Sequence, residues 1–179
     1  MSQLTAIWVL IVLAFIFANL PFLLQRPLLF LPWPQMAKEP LPARQRWALF
    51  IVFSAVLGGL TVGVFHWLSQ QFFTSSWMLL LTTVGLLAGG AVLFSIPGWV
   101  NGKREIKKSL FDRFIELTVL FILVGLLGIA FEASMGNVFP QQWEFYVITY
   151  SLFLVFGYPG FVLRYLLKRR RVLVGTKTV

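Results

Sequence analysis

The chain has 179 residues, 59% of them hydrophobic and 12% charged, with a formal charge of +9. A soluble globular chain is nearer half apolar and a quarter charged, and a domain this small exposes too much of its surface to hide so much apolar material from water. There is no cysteine, which excludes a disulfide framework, a thiolate metal centre, an iron–sulfur cluster and a Cys nucleophile.

Lipid is the solvent that suits this composition, and an all-α integral membrane protein is expected. Five segments, 4–24, 47–69, 77–100, 110–133 and 145–167, are long and apolar enough to cross ~30 Å of hydrocarbon as helices of ~20 residues. They lack the alternation of barrel strands, and helices satisfy their own backbone groups in lipid. The first segment reads as a retained helix rather than a cleavable signal, because no cation precedes it and Ala18-Asn19-Leu20-Pro21 runs on into further apolar sequence.

Segment 25–46 contains five prolines and cannot be one regular helix. With Leu28, Leu29, Phe30, Leu31 and Trp33 it is expected to lie along the membrane interface, as a lipid-facing linker or a docking surface.

In the second segment Ala55, Gly59 and Gly63 recur every four residues, as do Gly85 and Gly89 in the third. Such stripes let helices approach closely, and packing of the second helix on the third is the expectation. His66 is the only histidine, so no bis-His haem or multi-His metal site can form.

The fourth segment opens with Asp112, Arg113 and Glu116. Arg113 and Glu116 lie one turn apart and can pair on one helix. Arg164, near the end of the fifth segment, should reach a similar depth, which predicts an interhelical Glu116–Arg164 ion pair. The competing readings are separate solvation of the two groups and a functional proton site. Glu132 and Glu144 flank the connection between the fourth and fifth segments.

All fifteen cations fall on one side of a five-helix arrangement: Arg26, Lys38, Arg44 and Arg46, then Lys103, Arg104, Lys107, Lys108 and Arg113, then Arg164 and the basic tail 168–179. That side is the cytoplasm by the positive-inside rule, which puts the amino terminus outside and the carboxyl terminus in the cytoplasm. The charge therefore reads as orientation, and no nucleic acid partner is expected. The tryptophans cluster at the same boundaries, as interfacial aromatic rings do.

An internal echo links the hairpins. Gly59, Phe65 and Trp77 map to Gly125, Phe131 and Trp143 at one constant offset, and Pro97-Gly98 echoes Pro159-Gly160 after a short gap. Both duplication and the ordinary likeness of apolar sequences account for it.

Four pieces carry a family resemblance: Ala18-Asn19-Leu20-Pro21-Phe22-Leu23; Arg113-Phe114-Ile115-Glu116-Leu117; Gln142-Trp143-Glu144-Phe145-Tyr146; and Tyr158-Pro159-Gly160-Phe161-Val162-Leu163-Arg164-Tyr165. They resemble a proteobacterial inner-membrane family known as domain of unknown function 2818, whose members have about three helices. The second and third helices here would then be an inserted hairpin. The resemblance implies a bacterial inner (cytoplasmic) membrane setting and genes beside the operon of respiratory complex I, the NADH:quinone oxidoreductase. It also implies a role as a non-catalytic accessory subunit among membrane-arm subunits and phospholipids. No nucleotide loop, metal cluster or catalytic triad is found, so neither an enzyme, a cofactor nor a metal is expected. The alternatives are a small transporter or ion-conducting protein, and a transient assembly factor.

Overall fold

A computed structural model describes residues 3–35, 41–70, 76–102, 106, 108–136 and 140–167. The loop cations Lys38, Lys103, Arg104 and Lys107 and the tail 168–179 lie outside the described residues. Five helices form: α1 (Gln3–Leu23), α2 (Ala43–Ser69), α3 (Ser76–Val100), α4 (Leu110–Ser134) and α5 (Trp143–Phe161), the last continuing into a π-helical stretch at Val162–Leu167. Each is long and apolar enough to cross a membrane.

The helix starts follow local chemistry. α2 begins at Ala43, four residues before its expected start, because Pro42 stands at its N-cap with φ −60°, the angle a proline ring imposes. Ser109 caps α4: its hydroxyl accepts from the Asp112 N–H at 3.1 Å, and the Asp112 carboxylate accepts from the Ser109 N–H at 3.0 Å. This reciprocal pair satisfies two otherwise orphan donors. Pro21, Pro97 and Pro159 lie inside α1, α3 and α5, close to their carboxyl ends. After Pro159 the backbone widens into the π turns.

α1 is the hub. It packs against both α4 and α5, while α2 packs against α4. A third of the most apolar stretch of α1 is buried, against 6% for α2 and 11% for α3. α3 is held by side chains rather than close backbone approach. Leu79 joins Ala6, Leu68, Ala130 and Phe131 at one end of the bundle, and Gly98 lies under the aliphatic stem of Arg26 toward the other.

Two expectations are corrected. The proline-rich segment turns inward instead of lying along a surface: Leu28, Leu29, Phe30 and Leu31 are buried, and the Phe30 ring meets Phe53 edge-on at 5.4 Å. Irregular backbone is tolerated at such depth only where protein satisfies its polar groups, and the Glu116 carboxylate does this for the Leu28 N–H. The glycine stripes, secondly, do not join α2 to α3. Ala55, Gly59, Gly63, Gly85 and Gly89 are exposed, and a Cβ built at any of the four glycines meets nothing within 4 Å. The close approach lies elsewhere, between α1 and α5, at Gly157 and Gly160.

Candidate functional site

The charged side chains in the first turns of α4 and Asn19 near the end of α1 form one buried polar cluster. Asp112, Arg113 and Glu116 are each 2% exposed or less, and Asn19 is 6% exposed. They are neighbours because positions 112, 113 and 116 lie on one side of the first turns of α4, facing the carboxyl end of α1.

Arg113 serves as the cap of α1. The last four carbonyls of a helix have no partner within it, and one terminal nitrogen of Arg113 donates to Pro21 O at 2.6 Å and Phe22 O at 3.1 Å. A cation there also complements the helix dipole. The guanidinium lies over the Tyr165 ring at 5.9 Å from its centroid, which ties the π-helical stretch to the same point.

Glu116 is held from two sides. One oxygen accepts the Leu28 N–H at 2.8 Å, and the other pairs with the Lys108 ammonium at 2.6 Å, where neither side chain has appreciable exposure. Burial pushes the Lys108 ammonium below its ordinary pKa, and the Glu116 carboxylate opposes that shift. The expected Glu116–Arg164 pair does not form. Arg164 lies instead where its charge bears on Arg113, while Lys108, two residues before the helix, is the cation that pairs with Glu116. Asp112 avoids repulsion with Glu116 by taking its own donors, the Ser109 N–H and the Trp33 indole N–H at 2.8 Å.

Asn19 fastens α1 to α5. Its amide nitrogen donates to Phe15 O at 2.7 Å and Phe156 O at 2.8 Å, and its oxygen accepts the Gly160 N–H at 2.7 Å. A Cβ at Gly160 would sit 2.9 Å from that oxygen, and one at Gly157 would sit 3.0 Å from Ala18 O. Only glycine permits both approaches.

Of the residues singled out by resemblance, Arg113, Glu116, Gly160 and Tyr165 meet in this cluster, with Pro159 and Phe161 alongside Gly160. Trp143, Glu144, Phe145 and Tyr146 do not; they are exposed at the start of α5. Lys108, Trp33 and Asn19 join the cluster without a local sequence signal that points to it. The Ser109-x-x-Asp112 spacing was a readable signal for the capped start that positions Asp112. The cluster's acceptors are filled by its own donors, so its evident work is fastening. Among the described residues no group of three or more His, Cys, Asp or Glu is placed to hold a metal ion.

Five apolar helices pinned by buried polar fasteners are those of a multi-pass membrane protein. A family model described as "Protein of unknown function (DUF2818)" matches residues 6–102 and 99–168. The chain belongs to that family. One hairpin lies in each matched stretch, α2–α3 in the first and α4–α5 in the second, so the hairpin expected as an insertion falls within a matched stretch. The fasteners are not repeated: at the offset taking Gly59 to Gly125, Trp47 and Phe50 stand where Arg113 and Glu116 stand. No curated protein and no solved structure matches the chain.

Proposed function

We propose that the protein is a non-catalytic accessory subunit of a bacterial respiratory membrane complex, supporting the stability or assembly of the membrane arm of complex I in the inner membrane. The supporting observation is how its polar groups are spent. Asn19, Asp112, Arg113 and Glu116 are bonded within the chain, whereas α2 and α3 present almost wholly apolar, little-buried faces. A transporter needs polar groups converging on a path near mid-membrane; Thr61, Thr83, Thr118, Thr149 and Ser151 each donate to a carbonyl one turn back in their own helix. The choice of complex I rests on the genomic setting that the family resemblance implies. In this reading the cationic side faces the cytoplasm and the amino terminus lies outside.

Purification in mild detergent through a tag on this chain tests the proposal. Membrane-arm subunits in fixed ratio are expected, together with a lower yield of intact complex I when the chain is deleted. Recovery of the chain alone, with complex I unaffected by the deletion, overturns it. Substrate-dependent flux through the purified protein in liposomes would establish the transporter instead.

A further inference from the structure

The carboxyl ends of α1, α3 and α5 and the amino ends of α2 and α4 meet at one end of the bundle. Arg113 there bonds Pro21 O and lies over Tyr165, the stem of Arg26 covers Gly98, and Leu49 packs against the cluster of Leu29, Phe30 and Leu31. The stretches of chain that begin or end here carry all fifteen Lys and Arg against four carboxylates, Glu39, Glu105, Asp112 and Glu116. The buried cluster is neutral in formal charge, with Asp112 and Glu116 against Lys108 and Arg113, each 2% exposed or less. It therefore offsets none of the charge outside it. Arg26 and Arg44 are exposed, Arg164 is half-buried, and none of the three pairs with a carboxylate among the described residues.

The surroundings of these arginines select the anion. Exposed apolar side chains flank each of them: Leu23 and Leu24 before Arg26, Trp47 shortly after Arg44, and Leu163 and Leu166 on either side of Arg164. An acidic soluble protein would answer the charge but cover these side chains with polar surface. An anionic phospholipid answers both, with a phosphate for the guanidinium fork and hydrocarbon for the apolar flanks. A zwitterionic phospholipid brings its own ammonium, so the excess positive charge does little to attract it. Anionic lipid, by contrast, gains roughly fivefold in association for each Lys or Arg held near the headgroups.

We propose that this end of the bundle is a surface for anionic phospholipids, whose phosphates bind Arg26, Arg44 and Arg164 while the flanking apolar side chains take the acyl chains. The test uses the full chain in vesicles holding phosphatidylcholine and phosphatidylglycerol in equal amounts. Native mass spectrometry after mild-detergent extraction should find phosphatidylglycerol retained over phosphatidylcholine by roughly fivefold or more. Combining Arg26→Gln, Arg44→Gln and Arg164→Gln should bring that ratio close to one at an unchanged melting temperature. Glu144→Gln, at the opposite end, should leave it at the wild-type value. The wild-type ratio should also fall as sodium chloride is raised, because exposed charges are screened by salt. Equal retention of the two lipids by the wild-type chain overturns the proposal, as does a preference that survives in the triple variant or is indifferent to salt. Greater loss in sodium phosphate than in sodium chloride of equal ionic strength would assign the arginines to free phosphate. Crosslinking of this end to an acidic protein, with no lipid retained, would assign them to that partner. Either result overturns the proposal too.

Discussion

The side-chain amide of Asn19 bonds both members of one helical step of α5, donating to Phe156 O and accepting from the Gly160 N–H. Residues 156 and 160 are the i−4 and i positions that an α-helix joins directly, so α1 is inserted at that rung at the approach to the π turns. Asn19→Ala removes both bonds at a buried site and should cost about 2–3 kcal/mol, since each buried polar group left unpaired costs about 1–3 kcal/mol. Asn19→Asp keeps the acceptor and loses the donor to Phe156 O, so the shortfall should persist. Denaturation in detergent micelles measures both; a wild-type transition for Asn19→Ala would show the bonds to be incidental.

The glycines divide into two classes with opposite expected responses. Gly157→Ala and Gly160→Ala force α1 and α5 apart and should lose about 1–3 kcal/mol, the usual cost of overpacking. Gly59→Ala and Gly63→Ala add a methyl in open space and should be neutral, or stabilising by up to ~1 kcal/mol through helix propensity. Thermal melting of the four variants gives the ordering directly. Melting of Gly160→Ala at or above wild type contradicts it.

The Lys108–Glu116 pair should behave asymmetrically. Removing one partner by Lys108→Met leaves a buried carboxylate against the Leu28 N–H alone, and a loss of about 3–5 kcal/mol is expected. Replacing both, as Lys108→Met with Glu116→Leu, should recover much of that loss, because buried pairs often trade evenly for apolar packing. What remains reports the orphaned Leu28 N–H. A double-mutant cycle by denaturation is the measurement, and strict additivity would mean that the two side chains act independently.

Orientation can be read with thiols, because the native chain contains no cysteine. Cysteine at exposed Gln70 or Gln142 should react with an impermeant maleimide on intact spheroplasts. Cysteine at exposed Arg44 or Gln25 should react only after the membrane is opened. The reverse pattern refutes the proposed topology.

Hydrophobic length and the tryptophans foretold the helices, because spanning lipid demands a local property of each segment. The fasteners were less legible, because each joins residues far apart in the chain. Arg113 and Glu116 stood out as charges within apolar sequence, yet nothing local shows that one caps α1 while the other meets Lys108. Asn19 looked like a minor residue within a run carrying resemblance. The glycine stripes misled for a physical reason: small residues permit close approach but do not compel it, and here α2 and α3 stand apart. The inward turn of 27–31 was hidden because prolines announce irregular backbone without saying which way it goes.

The fastening of Asn19 to Gly160 spans 141 residues of chain. At synthesis speeds of about 5–20 residues per second, α5 follows α1 out of the ribosome by roughly 7–28 s. For that interval the Asn19 amide has no α5 partner, whereas Arg113, which caps the carbonyls of Pro21 and Phe22, is synthesised before α5. Chain order thus lets the fourth helix secure the first before the fifth is available to clasp it, and a chain interrupted after α4 would keep the Arg113 cap and lack the Asn19 clasp.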